Sequence, residues 1–366
     1  MRPPRRLPRP GSWCVVALAT ALAGPAGAEP RWSAARANEW SRAQPWMVGC
    51  NFIPSTAINQ LEMWQAETFD PATIDRELGF AESVGMNTVR VFLHNLPWEQ
   101  DAAGFKKRIG EFLALADRHH IRTVFVLFDS CWNDNAKPGP QPAPKPGVHN
   151  SGWVRAPGTL RLFDSRTWGG LEAYTRGVVG GFAGDPRVLA WDLFNEPSNS
   201  GYMDAVVPLL KSVFAWARDA GPEQPLTSGL WNDHPMSNDV MLANSDVVTF
   251  HDYDPPEKLE AHIQRLAALG RPLLCTEYMA RTRNSTFEGC LPVFKRYGVG
   301  AINWGLVKGK TNTIFAWNAP LPDKDEPPVW FHDVFRPDGT PFRPAEIEFI
   351  RAITGRGVRP AAPEAR

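Results

Sequence analysis

An apolar run ends in an acid at Val188-Leu-Ala-Trp-Asp-Leu-Phe-Asn-Glu-Pro197, and this stretch decides the fold. A second run, Pro272-Leu-Leu-Cys-Thr-Glu-Tyr278, also carries a glutamate where the apolar residues stop. Short apolar runs of this kind are typical of strands buried on both faces, as in parallel sheets. Each run precedes a helix-like segment, so each carboxyl is predicted at the carboxyl-terminal mouth of a parallel barrel, where such folds carry out their chemistry.

The alternation of strand and helix continues along the chain from Trp46 onward. Amphipathic segments, with apolar residues at helical spacing, separate the apolar runs. Eight strands are the number that a closed parallel barrel requires. The predicted fold is therefore α/β, a (β/α)8 TIM barrel in a single domain, with strands over residues 47–53, 88–93, 122–128, 188–194, 226–231, 247–253, 273–278 and 301–306.

Two proline-rich insertions interrupt this alternation, over residues 133–161 after the third strand and 308–341 after the eighth. Because both follow strands, these long loops emerge on the mouth side of the barrel, where they are better interpreted as walls of a binding site than as linkers. Residues 133–161 are long enough to close one end of a cleft into a pocket, which favours short oligosaccharides or chain ends if the ligand is a sugar.

The amino terminus has the three-part layout of a secretory signal peptide. Arginines at positions 2, 5, 6 and 9 precede an apolar stretch over residues 13–23, and Ala26-Gly-Ala28 is a small-residue cleavage site. Residues 1–28 are therefore predicted to be a signal peptide and residues 29–366 the barrel domain, in a periplasmic or secreted protein without membrane contact after cleavage. A retained anchor is the alternative, although the apolar stretch is short for a membrane span.

Charge and cysteine content restrict the possible partners. Cleavage removes four positive charges from a chain of formal net charge +0, which leaves −4 and argues against a nucleic-acid partner. Cys50, Cys131, Cys275 and Cys290 remain, and their spacing indicates neither a disulfide staple nor a zinc site, so their pairing stays open. Cys275 is predicted to be a small buried core residue, and the oligomeric state has no signal in the sequence.

Paired carboxyl groups at a barrel mouth suit glycosidic bond cleavage, which needs one acid for the leaving oxygen and one carboxylate for the anomeric carbon. Trp191-Asp-Leu-Phe-Asn-Glu-Pro197 and Thr276-Glu-Tyr278 resemble the acid/base and nucleophile segments of clan A glycoside hydrolases, closest to the cellulase-type family 5. The resemblance implies a retaining β-glycoside hydrolase that acts on a β-linked oligo- or polysaccharide, of the mannan or glucan type, by double displacement.

The same resemblance implies a role for each residue of the site. Glu196 would be the general acid and base, Glu277 the nucleophile, and Arg90 the cation that keeps Glu277 ionised. The other implied contacts are Asn195 with the sugar 2-hydroxyl, Tyr253 with Glu277, His251 with Glu196, and Trp304 beneath the sugar ring.

One segment departs from the family pattern. Family 5 enzymes often carry a histidine just after the third strand, where this chain reads Phe128-Asp-Ser-Cys-Trp-Asn133. We expect Asp129 to accept a sugar hydroxyl there and Trp132 to serve as a platform, with His94 sharing the duty from the end of the second strand. The departure leaves subfamily and substrate open.

Residue chemistry supports part of this assignment without the family. An arginine inside an apolar strand, as at Arg90, is costly unless it is paired. Tryptophans suit the apolar faces of sugars, and we expect about half of the following six to contact sugar and the rest to pack in the core or anchor loops: Trp98, Trp132, Trp153, Trp231, Trp304 and Trp317.

Neither a metal nor a cofactor is expected, because no histidine and carboxylate spacing indicates a metal site and no glycine-rich phosphate loop is present. Two alternatives to hydrolysis stay open. One is a barrel that binds carbohydrate but has lost catalysis, and the other is a transglycosylase that passes the glycosyl group to a second sugar.

Overall fold

The computed structural model describes residues 30–356 and shows the predicted (β/α)8 barrel. The predicted signal peptide, residues 1–28, lies outside the described residues. Eight parallel strands make up the sheet in this part of the chain: β1 Val48–Asn51, β2 Thr88–Phe92, β3 Arg122–Asp129, β4 Val188–Asn195, β5 Leu226–Thr227, β6 Val248–His251, β7 Leu273–Glu277 and β8 Gly300–Trp304. All eight coincide with predicted strands.

The strands follow one another around the barrel in the order β5-β4-β3-β2-β1-β8-β7-β6. The ring closes between β5 and β6 through a single bridge, in which Leu230 donates to Thr249 and accepts from His251 at 2.9 and 2.8 Å. Strand β5 is shorter than predicted, and directly after it the Ser228 hydroxyl donates to the Phe194 carbonyl of β4 at 2.7 Å.

Helices cover the outside of the barrel and carry the expected end signals. Helix α11, for example, begins after the Thr286 cap and ends at Gly298, whose φ of 65° suits glycine. The twelve α-helices in residues 30–356 are α1 Ala34–Arg42, α2 Gln60–Trp64, α3 Pro71–Ser83, α4 Asn95–Gln100, α5 Ala102–Arg118, α6 Thr159–Phe163, α7 Trp168–Gly181, α8 Val207–Asp219, α9 Pro235–Asn244, α10 Pro256–Ala267, α11 Phe287–Tyr297 and α12 Pro344–Thr354.

The barrel interior changes from apolar to polar along its axis. A small cluster that includes Val124, Ala190 and Ile302 fills the lower part. Two residues further along β4 on the same face, Asp192 contacts Arg90 of β2, and both side chains are fully buried. The polar layer therefore lies directly beneath the carboxyl-terminal mouth.

The long loops after β3 and β8 both lie at this mouth, as predicted, and they contact each other through Asn150 and Thr311. The four cysteines of the described chain, Cys50, Cys131, Cys275 and Cys290, are free and buried, and Cys275 is the predicted core residue. Between residues 30 and 356, no helix has both the length and the apolar character needed to cross a bilayer.

Candidate active site

Glu196 and Glu277 meet at the mouth of the barrel. Glu277 is the last residue of β7, and Glu196 follows β4 directly. One oxygen of each carboxyl and one ring nitrogen of His251 all lie within 4.8 Å of one another. Glu196 has a φ of 44°, a backbone conformation that non-glycine residues rarely adopt and that clusters at functional sites. The two acids therefore converge on one sugar-sized space.

Glu277 is held in its anionic form by direct contacts. The Arg90 guanidinium donates to Oε1 at 2.9 Å, and the Tyr253 hydroxyl donates to Oε2 at 2.9 Å. His251 Nδ1 lies 3.5 Å from the same Oε2. The predicted contacts of Arg90 and Tyr253 with Glu277 are both present.

Glu196 has a different environment, in which no arginine or lysine between residues 30 and 356 lies at hydrogen-bond distance. His251 Nδ1 lies 2.9 Å from Oε1, while Asn199 Nδ2 and the Cys131 thiol lie 2.5 and 3.4 Å from Oε2. The predicted contact of His251 with Glu196 is present. The contacts from Cys131 and Asn199 were not predicted, although Cys131 lies within Phe128–Asn133 and Asn199 lies two residues after Pro197.

Burial and local charge separate the roles of these groups. Burial raises the pKa of Glu196 and raises that of Glu277 to about 7, so the pair holds a proton near neutral pH. Burial lowers the pKa of His251 to about 4, which makes its ring neutral there. Because Arg90 and Tyr253 stabilise the carboxylate of Glu277, the shared proton belongs on Glu196.

Arg90 connects this pair to the polar layer below. Its guanidinium also contacts Asp192 at 2.8 Å, Asn195 at 2.7 Å and Asn51 at 2.9 Å. The side chain is fully buried and does not line the pocket, so Arg90 positions other side chains and does not contact the sugar.

Asn195 and Asp129 form the next connection. Asn195 lines the pocket and donates through Nδ2 to Asp129 at 2.9 Å. Asp129 is 2% exposed and also accepts from Trp153 Nε1 at 2.6 Å and from the Cys131 backbone at 2.9 Å. These bonds leave no accessible oxygen for a sugar, so the predicted substrate contact of Asp129 is corrected to a positioning role. Burial raises its pKa to about 7.

His94 also lies outside the pocket. Its Nδ1 accepts from the Leu96 backbone at 3.1 Å, and its Nε2 lies 2.9 Å from the Arg155 carbonyl. Burial is complete and lowers the pKa of the ring to about 4. Since both ring nitrogens bond to the backbone, the predicted sugar contact of His94 is corrected to a structural one at the start of α4.

The pocket has a volume of about 630 Å³ and is rich in tryptophan. Trp98 lies outside it and packs against Tyr174 at a ring distance of 6.3 Å. Five of the six tryptophans line the pocket: Trp132, Trp153, Trp231, Trp304 and Trp317.

The carboxylate oxygens of Glu196 and Glu277 and the ring nitrogen of His251 are also close enough together to bind a metal ion. The Arg90 guanidinium already lies 2.9 Å from Glu277 and places a positive charge beside any ion there. Electrostatic repulsion between the two cations disfavours a metal at this position.

The chain matches the family model described as cellulase (glycosyl hydrolase family 5) over residues 57–309. No curated protein matches it. Among solved structures, an exo-β-1,4-mannosidase from Opitutaceae bacterium strain TAV5 has a TM-score of 0.59 at 19% identity and covers 87% of this chain, which spans 61% of that protein.

Two further solved structures share the fold at similar distances. An endo-β-1,4-mannanase from Thermotoga petrophila has a TM-score of 0.57 at 15% identity, with 87% of this chain and 80% of that chain covered. A variant of a family 5, subfamily 18 protein from Streptomyces cattleya, in complex with Manβ1-4GlcNAc, has a TM-score of 0.57 at 14% identity, with 87% and 82% covered. The family model covers more than half of the 366 residues, so this chain belongs to glycosyl hydrolase family 5 and is an O-glycosyl hydrolase of the clan A type.

Proposed function

We propose that this enzyme hydrolyses β-linked glycosides with retention of configuration, with Glu277 as the nucleophile and Glu196 as the acid and base. In the first step a Glu277 oxygen bonds to the anomeric carbon, the bond to the leaving oxygen breaks, and Glu196 gives its proton to that oxygen. In the second step Glu196 takes a proton from water, the water oxygen bonds to the anomeric carbon, and the ester to Glu277 breaks.

The separation of the two carboxyl groups is the observation that carries this proposal. Retaining enzymes hold them about 5 to 5.5 Å apart, whereas inverting enzymes need about 6.5 to 9.5 Å to admit a water. An oxygen-to-oxygen approach within 4.8 Å supports the shorter spacing. Arg90 and Tyr253 contact Glu277 and not Glu196, which supports Glu277 as the anion and Glu196 as the acid.

The pocket walls support a sugar as the bound ring. Trp304 lies half-buried beside Phe92 and Trp153, at ring distances of 5.7 and 5.8 Å, and its indole suits one apolar face of a pyranose. Asn195 is held by Arg90 and Asp129, which leaves one amide hydrogen for a sugar 2-hydroxyl. These side chains bind and orient the ring that Glu277 attacks.

β-1,4-Mannosides are the substrate class that we propose. The support comes from the solved structures named above, which are described as mannosidase or mannanase proteins or hold Manβ1-4GlcNAc. A panel of aryl β-mannoside, β-glucoside and β-xyloside substrates tests the choice. A kcat/KM highest for a sugar other than mannose would contradict it, without affecting the proposed mechanism.

Stereochemistry and two substitutions test the mechanism. Proton NMR of the first product should show the β-anomer before mutarotation, and an initial α-anomer would exclude retention. Glu277→Gln should abolish turnover of an aryl glycoside. Glu196→Ala should slow substrates with poor leaving groups far more than activated ones, and equal losses on both would contradict the acid role. Product analysis at high acceptor concentration separates hydrolysis from transglycosylation.

Export is also part of the proposal, on the basis of the arginines, apolar stretch and Ala26-Gly-Ala28 of the first 28 residues. Expression of the full chain with fractionation should yield a periplasmic or secreted enzyme. Its amino-terminal sequence should begin at Glu29, and a cytoplasmic full-length product would contradict export.

A further inference from the structure

We propose that this enzyme releases single sugars from the non-reducing end of its substrate, because the two insertions close the pocket on the side of the sugar that is attacked. The inference rests on the function proposed above, since it uses the roles of Glu196 and Glu277. It adds the mode of action, which those roles leave undetermined.

The position of the acid defines the two sides of the pocket. Glu196 gives its proton to the leaving group, so the leaving group lies on the side of β4, where Glu196 follows the strand. The attacked ring lies beside Glu277 and Trp304. In the ring of eight strands β8 is diametrically opposite β4, so any further sugar on the non-reducing side would extend toward β8 and its neighbour β1.

That direction is blocked by a structure that we call the glycone wall, formed by residues 145–153 and 309–321 of the two insertions. Four hydrogen bonds join its halves. They are Asn150 N to Thr311 O at 2.7 Å, His149 Nδ1 to Phe315 O at 2.8 Å, Leu321 N to Gly147 O at 3.0 Å and Asn312 Nδ2 to Lys145 O at 3.0 Å.

The glycone wall is also attached to the barrel at the loop after β1. Lys310 bonds through its backbone to Ser55 and through Nζ to Glu62, at 3.1 and 2.6 Å. Asn59 donates to the carbonyl of Gly152 at 2.9 Å. Gly309 packs so closely on Ser55 that an added Cβ would lie 2.5 Å from the Ser55 Cα. A second sugar on this side would have to separate these contacts.

The tryptophans of the pocket divide in the same way. Trp153 and Trp304 pack edge to face on the closed side, and Trp317 packs against Tyr253 at a ring distance of 4.8 Å. On the side of the acid, Trp132 follows β3 and is 41% exposed, and half-buried Trp231 follows β5. The open side therefore offers aromatic platforms for the rest of a chain, whereas on the closed side Trp153, Trp304 and Trp317 pack against other aromatic rings.

The test uses a β-1,4-manno-oligosaccharide with a label at its reducing end, and the same molecule with a cyclic acetal on its non-reducing sugar. The wild-type enzyme should shorten the first molecule by one sugar at a time. It should cleave the second at least about 100-fold more slowly, because a displacement of the reacting sugar by about 1 Å already costs about that much. Internal cleavage of the capped molecule at a comparable rate would overturn the inference.

Gly147 provides a variant that opens the wall without touching the pocket. A Cβ at this position would lie 2.0 Å from the Leu321 carbonyl oxygen, so Gly147→Ala should push the two halves apart. Gly139 is a matched control in the same insertion, because its φ is also positive and a Cβ there meets nothing within 4 Å. Gly147→Ala should raise cleavage of the capped molecule at least about 10-fold over Gly139→Ala, and equal rates would overturn the role of the wall.

An aryl β-mannoside separates failure of this inference from failure of the proposed function. It carries a single sugar, so its hydrolysis tests the roles of Glu196 and Glu277 and needs no space beyond the wall. Hydrolysis of the aryl substrate together with internal cleavage of the capped one would overturn only the mode of action. No hydrolysis of any aryl glycoside would overturn the proposed function and this inference with it.

Discussion

Replacement of Arg90 by methionine tests whether a buried guanidinium sets the charge of Glu277. Methionine has a comparable reach and removes the cation that contacts Glu277, Asp192 and Asn195. Arg281 provides a matched control, because it is 5% exposed, makes bonds of 2.7 and 2.8 Å to Glu346, and does not line the pocket.

The expected magnitudes separate a structural from a catalytic effect. Arg90→Met and the control Arg281→Met each leave a buried carboxylate without its cation, which costs about 3–5 kcal/mol of unfolding free energy. A cation at this distance lowers a carboxyl pKa by about 1–3 units, so loss of Arg90 should raise the pKa of Glu277 by that amount. Because the nucleophile must be anionic, the acid limb of kcat/KM should move to higher pH, and kcat/KM measured below the wild-type acid limb should fall about 10- to 1000-fold.

Urea denaturation and the pH dependence of kcat/KM on an aryl glycoside measure the two effects. Stability should fall in both variants, whereas the acid limb should move only in Arg90→Met. Arg90→Lys keeps a point charge without the planar set of donors, so we expect intermediate values. A folded Arg90→Met enzyme whose acid limb stays at the wild-type pH would refute the reasoning.

Two substitutions and one metal treatment give further expected outcomes. Cys131→Ala removes a thiol donor that lowers the pKa of Glu196, so the basic limb of kcat/KM should move to higher pH by less than about one unit. Cys131→Ser keeps a donor and should leave the basic limb at the wild-type pH. His94 has a pKa of about 4 in the folded protein, so the unfolded chain binds its proton first as the pH falls. Wild type should therefore lose about 2 kcal/mol of unfolding free energy between about pH 6.5 and 5 that His94→Gln retains, and equal losses in denaturant titrations would contradict this. Dialysis against EDTA should leave kcat/KM unchanged, because Arg90 already neutralises Glu277, and activity that is lost and then restored by a divalent ion would contradict this.

The barrel could be predicted because its signals are local. Each strand is a short apolar run, and the runs that end in Glu196 and Glu277 position both acids at one mouth through the parallel topology alone. The contact of Arg90 could be predicted for a related reason, since a cation in an apolar strand must find an acid. Asp192 was not predicted as a partner, and Arg90 contacts it together with Glu277.

The substrate contacts of His94 and Asp129 could not be judged from their position after a strand. Whether such a side chain reaches the pocket depends on groups that are distant in the chain. Here the Arg155 carbonyl bonds to His94, and the Trp153 indole donates to Asp129. Trp153 and Arg155 lie on the insertion after β3, whose path has no periodic pattern from which it can be derived. The same insertion therefore occupies both predicted sugar contacts, and it leaves Asp129 in a positioning role and His94 in a structural one.

The glycone wall shows the same limit more sharply. The length of residues 133–161 predicts that they can close one end of a cleft. It does not predict which end they close. Two of the four bonds between the insertions join backbone groups, and the other two join the side chains of His149 and Asn312 to backbone carbonyls. Backbone groups are present at every residue, so these bonds leave little pattern in the sequence. Yet the end that they close decides whether an enzyme with these two acids removes terminal sugars or cuts within a chain, because the acid on β4 fixes where the leaving group lies. In this enzyme the chemistry is encoded in a few recognisable residues, whereas its mode of action depends on the path of two loops.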